Sequence, residues 1–399
     1  MLSDKQTEGY ADVLLWGLKT ARGKALRKNE IVSVRFNLPA VKLAETLHAK
    51  LLLRGVHPVV RVLSTPVMER NFYALSTGEQ LTFTPPGEKR LMQQLNGSIM
   101  IHAPQSLTHL RDINPGRIGK TVVSQKKLRD ILTRREAQGN YSWTLGMFPT
   151  AALAKHADLS IEEYTRQMVR ACFLNQTRPV DRWREIFQNA NSIKKWLNSL
   201  KVRHYHIESE QIDLEVTPGE NRRWVGISGR NIPSFELFVS PDWRGTRGVF
   251  YADQPSFRSG NLVKGVRIIF KNGCAQKISA QAGENFVRKQ LSMDYGANKL
   301  GEFSLTDKRF SRIDRYMANT LFDENYGGKY GNCHVALGSS YANTFNGDPA
   351  KLTAAMKKKL GFNDSALHWD FVNTEKKRVV AHLTSGKKTT IYESGKFKY

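Results

Sequence analysis

Cysteine is scarce: Cys172, Cys274 and Cys333 are the only three in 399 residues, and no two stand in a C-x-x-C spacing. An odd count without paired spacing argues against a disulfide framework and fits a reducing compartment, so the cytoplasm is the expected location. Long hydrophobic runs are missing too. No stretch approaches the roughly 20 apolar residues that cross a bilayer, so no membrane association is expected. Near the start, Asp12, Lys19, Arg22 and Lys24 break up the apolar segment from Val13 to Leu18, which argues against a signal peptide. Acidic residues are few beside basic ones, 36 against 61, for a formal net charge of +25. Such an excess first raises a polyanionic partner, nucleic acid above all. Its distribution favours a generally cationic surface instead. Residues 1–200 carry 30 Lys+Arg against 16 Asp+Glu and residues 201–399 carry 31 against 20, so no basic tail or arm stands out.

What is present reads as a globular chain, with 40% apolar and 10% aromatic residues. The length favours two domains, and the texture changes near residue 200, giving an expected 1–200 and 201–399. In the first part, Ile31–Phe36 reads as a β-branched strand, and the stretch Leu38–Arg54 as a helix with Val41, Leu43, Leu47, Leu51 and Leu52 in its apolar stripe. Gly55 ends that helix before a second strand, Val56–Leu63, and the resulting β-α-β unit implies a parallel sheet flanked by helices. Ser98–His102 reads as a third buried strand. No G-x-G-x-x-G follows the first strand, so the sheet lacks a phosphate-cradling turn and reads as scaffold. Ser160 and Glu163 form a capping box before a helical stretch that breaks near Pro179. Beyond residue 200, short alternating segments such as His204–Ile207, Ile212–Val216, Phe235–Val239, Val249–Tyr251 and Val266–Phe270 predict a β-rich mixed domain. The expected class is therefore α/β followed by α+β.

Four short stretches of the second half carry metal-capable side chains: NIPSFELF with Glu236, KLGEFSL with Glu302, CHVALGSSY with His334 and Tyr341, and LHWDFV with His368 and Asp370. In a strand, His368 and Asp370 share one face and Trp369 the other, so both can reach the same ion. Each residue also has an ordinary structural reading: a satisfied core histidine, a hydrogen-bonded tyrosine, or a glutamate paired with Lys or Arg. Glu236 and Glu302 stand out because their surroundings are apolar and an unpaired buried carboxylate is costly.

The stretch from Asn231 to Phe371 resembles the metallo-aminopeptidase family of aminopeptidase T, aminopeptidase S and PepS. That family's N-x-P-x-x-E, L-G-E, H-x-A-x-G-x-x-Y and H-x-D segments all occur here in order, with Glu302 66 positions after Glu236 and Tyr341 seven after His334. Weaker similarity covers the whole chain, including TLGMFPTAALA and LFDENYGG. Two departures are visible: Phe235 stands where the pattern has glycine, and Met293-Asp294 replaces a more acidic lead into the second glutamate. The resemblance implies two divalent ions per subunit, Zn²⁺, Co²⁺ or Mn²⁺, with Glu236, Glu302, His334, His368 and Asp370 as ligands. It gives Tyr341 as a further ligand or an oxyanion donor, and a glutamate, Glu236 or Glu302, as proton shuttle. It further implies a homodimer acting on short peptides. A two-metal phosphoesterase or nuclease, and a catalytically silent basic nucleic-acid-binding relative, are the competing classes, because carboxylates and imidazoles also clamp phosphoryl groups.

Overall fold

The computed structural model describes residues 2–399. Two compact units are distinguished, one of residues 1–187 with 227–234, the other of residues 188–226 with 235–399.

The first unit is built on a five-stranded parallel sheet in the order His57–Val62, Ile31–Phe36, Gly97–His102, Ser142–Met147, Asn231–Ile232. Its longest flanking helix below residue 179, Asp4–Arg22, starts at a capping box between Ser3 and Gln6 and ends at Gly23 in the left-handed conformation. This helix buries Tyr10, Val13, Leu14 and Leu18. The Tyr10 hydroxyl donates to the Met147 carbonyl at 2.8 Å and accepts from the Met147 amide at 2.9 Å, fastening helix to strand. No helix is long and apolar enough to cross a membrane among the described residues.

The stretch read as one helix from Leu38 opens with a 3₁₀ turn, Leu38–Ala40, before the α-helix Val41–Leu52. Pro39 at the first turn sets that start, since it lacks an N–H to donate. Leu43, Leu47 and Leu51 face inward as expected, whereas Val41 and Leu52 are about half exposed. The capping box at Ser160 and Glu163 opens the helix Ile161–Ala171, and Pro179 begins a separate helix, Pro179–Ser199.

The second unit contains two large antiparallel sheets and a two-stranded hairpin of Ser256–Arg258 with Asn261–Val263. The eight-stranded one runs Cys274–Ser279, Val266–Lys271, Arg247–Ala252, Asp213–Val216, Val202–Glu208, Arg378–Leu383, Lys388–Glu393, Lys396–Phe397. The five-stranded one runs His368–Asn373, Asn332–Gly338, Leu300–Thr306, Glu236–Val239, Val225–Gly226. Tyr205, on the inner face of the larger sheet, lies 6.0 Å from Phe303 of the smaller one, and Trp224 stacks edge-on against both rings. Phe303, Leu305, Val335 and Leu337 are fully buried. Period-two alternation therefore directs the odd-numbered residues of Leu300–Thr306 into the core and Glu302, Ser304 and Thr306 to the opposite face.

Candidate metal centre

Four strands of the smaller sheet bring the candidate residues together through register alone. Ala336, in the middle strand, stands opposite Glu302 on one side and Asp370 on the other. His334, two residues earlier, is flanked by Ser304 and Val372, and Gly338, two residues later, stands opposite His368. Glu236 pairs with Thr306, two residues from Ser304, so it joins the same face from the fourth strand. Five metal-capable side chains thus rise from one face of one sheet around small Ala336 and Ser304, which leave room between them.

The backbone under this face permits little substitution. Gly338 holds φ +108°, and a Cβ there would lie 2.1 Å from the Leu367 carbonyl oxygen. At Gly301, beside Glu302, a Cβ would lie 2.4 Å from the Gly338 oxygen. The glycines of the L-G-E and H-x-A-x-G segments are therefore required by two strands and a loop approaching closely where the ladder bulges.

His334 Nε2 lies 3.2 Å from Glu236 Oε2, 3.3 Å from Glu302 Oε1 and 3.9 Å from Asp370 Oδ1. His368 Nε2 lies 3.6 Å from Glu302 Oε2 and 3.4 Å from Asp370 Oδ1. Glu236, Glu302 and His334 are nearly inaccessible, and their donor atoms lie within 4.8 Å of one another. The structural alternative for the two glutamates, a Lys or Arg partner, is not what surrounds them: their close ionic neighbours are His334 and, for Glu302, also His368. Burial pushes the Glu236 carboxyl up, with Glu302 and Asp370 adding to the rise and His334 opposing it. Burial would lower both imidazoles, but the carboxylates outweigh it and raise each to about 9. Three carboxylates and two imidazoles packed this closely hold protons between them, which a bound cation would displace.

The donor set fits a metal on further grounds. His334 Nδ1 is buried and has no hydrogen-bond partner, so that ring is held from the carboxylate side alone. His368 Nδ1 is 3.0 Å from the Ser339 carbonyl, which fixes that nitrogen as N–H and turns Nε2 toward Glu302 and Asp370. Mixed imidazole and carboxylate donors suit Zn²⁺, Co²⁺ or Mn²⁺.

Tyr341 lies at the margin, its ring 4.8 Å from that of His368 and 5.7 Å from that of Phe238. The residue is 37% exposed, while its phenol is raised well above the ordinary value by burial and then by Glu302 and Asp370. The aromatic body therefore borders solvent and the oxygen stays protonated.

Residues 3–397 match the family described as thermophilic metalloprotease (M29). The chain belongs to that family. Aminopeptidase T of Thermus aquaticus is 27% identical over 306 residues, 72% of this chain and 73% of the relative. Aminopeptidase AmpS of Bacillus subtilis (strain 168) is 27% identical over 351 residues, 82% and 83% of the two chains. Aminopeptidase 2 of Geobacillus stearothermophilus is 29% identical over 331 residues, 78% of each. A solved structure, wild-type AmpT from Thermus thermophilus, superposes with a TM-score of 0.79 at 22% identity, covering 98% of this chain and 99% of that one. The M29 chain therefore shares its mixed architecture, a helix-flanked parallel sheet followed by an antiparallel β-rich part, with that neighbour.

Several supporting residues of this M29 site escaped the sequence reading. Ser304 Oγ donates to Glu236 Oε2 at 3.1 Å, and period two from Glu302 was the signal available for it. Arg258 donates to the His368 carbonyl at 3.0 Å, lies 5.1 Å from the Trp369 ring, and helps hold the Asp370 carboxyl below its ordinary range after the two histidines. Nothing in the pattern around Arg258 marks it, because it arrives from a separate two-stranded hairpin.

Proposed function

We propose that this chain is a metal-dependent aminopeptidase that removes single N-terminal residues from short peptides, with two divalent ions held by Glu236, Glu302, His334, His368 and Asp370. The observation that carries this reading is the convergence of five donors on one sheet face, with His334 between Glu236 and Glu302. Membership of a metalloprotease family whose curated relatives are named aminopeptidases supports it.

When bound, the ions supply Lewis acidity: they polarise the scissile carbonyl, lower the pKa of water and can anchor a free α-amine. The chain's own residues do the rest. Ser304 holds Glu236 in place and Ser339 orients His368. A glutamate of the pair Glu236 and Glu302 takes the proton from the attacking water and returns it to the departing amine. Tyr341, protonated and beside His368, donates its phenolic hydrogen to the oxygen on which negative charge develops. The same proposal includes a cytoplasmic homodimer, with the N-terminal unit contributing to dimerisation.

Release of an amino acid from a dipeptide or amino-acid anilide tests this. Activity should vanish with chelator, return with Zn²⁺, Co²⁺ or Mn²⁺, and be lost in His368→Ala. Tyr341→Phe should lower kcat while metal content stays unchanged; a loss of metal instead would make Tyr341 a ligand. Oligonucleotide cleavage without peptide hydrolysis would overturn the assignment.

A further inference from the structure

A second group of histidines lies in the same unit, on the other side of the β-sandwich. Tyr205 and Ile207 point from the strand Val202–Glu208 into the core, so His204 and His206 point outward. His382, on the neighbouring strand Arg378–Leu383, is in register with His204, while Val380 is in register with His206. From the opposite neighbour, Asp213–Val216, Glu215 is in register with His206. The outer face of the eight-stranded sheet therefore presents three imidazoles and two carboxylates on three adjacent strands. Two sheets, typically about 10 Å apart, separate this face from the Glu302 face.

The side-chain geometry is specific. The His204 and His382 rings stack at 4.2 Å between centroids, and His206 stands edge-on to His382 at 6.5 Å. His206 Nε2 is 2.8 Å from Asp213 Oδ1, which leaves Nδ1 as the ring's other donor position. His204 Nε2 is 4.0 Å from Glu215 Oε2. A hollow of about 300 Å³ opens beside the group, lined by His206, Arg378, Val380, His382, Lys388 and Thr390. The surrounding cations matter. Partial burial, and after it the neighbouring imidazoles with Arg203, Arg247 and Lys388, hold His204 and His382 below the ordinary imidazole value, which favours the neutral form that can ligate.

We propose that His204, His206 and His382 form a binding site for one borderline transition-metal ion, of the Zn²⁺ or Cu²⁺ class, separate from the catalytic centre. Directly opposed side chains such as His204 and His382 have Cβ atoms about 4.5–5.5 Å apart, which suits imidazole nitrogens about 2.0–2.1 Å from a common ion. The stacked rings do not yet converge. Rotation about the terminal ring torsion, which is broad and soft, turns both nitrogen edges toward His206. Asp213 then orients His206 as a carboxylate behind a ligating imidazole, while Glu215 is taken up by Arg247, whose guanidinium donates to Oε2 at 2.6 and 3.0 Å. Imidazole donors select Zn²⁺, Cu²⁺ or Ni²⁺ over Mg²⁺ or Ca²⁺. The competing reading is a phosphate-like anion in the hollow, held by Arg378 and Lys388.

Equilibrium dialysis of the full chain against micromolar Zn²⁺, followed by elemental analysis, tests the site. The double variant His204→Ala/His382→Ala should bind one equivalent less than the wild type, with peptide hydrolysis unchanged. Asp213→Asn should retain that equivalent with about 10–100-fold weaker affinity. His206→Ala, a single substitution at a half-exposed position, provides the same loss should the double variant fold poorly. With Cu²⁺, the wild-type spectrum should show nitrogen hyperfine structure that His206→Ala reduces. Equal stoichiometry in wild type and all variants overturns the proposal, as does inorganic phosphate bound in a His382-dependent way with no change in metal content.

Discussion

Ser304 illustrates how much a single buried hydroxyl can decide. It lies between His334 and Phe238 in register and holds Glu236 by one hydrogen bond. Ser304→Ala should weaken metal affinity or activity by about 10–100-fold, the usual effect of removing a partner behind a ligand, as read by titration in metal buffers. Gly338→Ala addresses the backbone instead. With φ at +108° and the Leu367 oxygen in the way, it should destabilise the chain by about 1–3 kcal/mol, measured by urea unfolding. Unchanged stability would mean the ladder can yield there. The six candidate side chains were legible because four short motifs occur in order and strand periodicity puts His368 and Asp370 on one face. Ser304, Ser339 and Arg258 were not, because their contacts cross between strands or come from a distant hairpin and leave no local spacing.

Among elements, those with a regular apolar period or a cap were the readable ones. The helix Ile161–Ala171 announced itself by Ser160 and Glu163, and Ser160→Ala should cost about 1 kcal/mol in urea unfolding through loss of that cap. The strand Ser142–Met147 was missed for a physical reason. Its inward positions Ser142 and Thr144 are polar, and Gly146 has no side chain. Ser142 Oγ donates to the Leu18 carbonyl at 3.1 Å, Thr144 Oγ1 to the Gly229 carbonyl at 2.8 Å, and a Cβ on Gly146 would lie 2.5 Å from the Tyr10 oxygen. Close approach of the first helix, rather than apolar bulk, fills this part of the core, so a search for alternating hydrophobicity finds nothing. The same helix was read only as a broken apolar stretch because Asp12 and Lys19 interrupt the run, although they fall on its outer side.

For the molecule as a whole, the donors and the charge make separate predictions. All five proposed ligands belong to the unit of residues 188–226 and 235–399. Metal binding at 100 times Kd stabilises a fold by about 2.7 kcal/mol, so chelation should lower the melting temperature seen by calorimetry. A metal-free sample melting with the loaded one would contradict the assignment. The net charge of +25 is spread over both halves. Attraction to DNA should therefore be weak and largely abolished between 50 and 200 mM salt, as measured by fluorescence anisotropy; tight binding that persists would indicate a dedicated nucleic-acid surface.

The chain's route also sets an order of assembly. After Gly226 it supplies Asn231–Ile232 to the parallel sheet and then enters the other unit at Phe235, one residue before Glu236. During synthesis the first 187 residues emerge with the strand Ser142–Met147 as an open edge, a template for unwanted pairing. That edge is covered only when residue 232 has left the ribosome, and the first proposed ligand follows four residues later. The strand that closes the parallel sheet thus leaves the ribosome before any of the five proposed ligands of the Glu302 face.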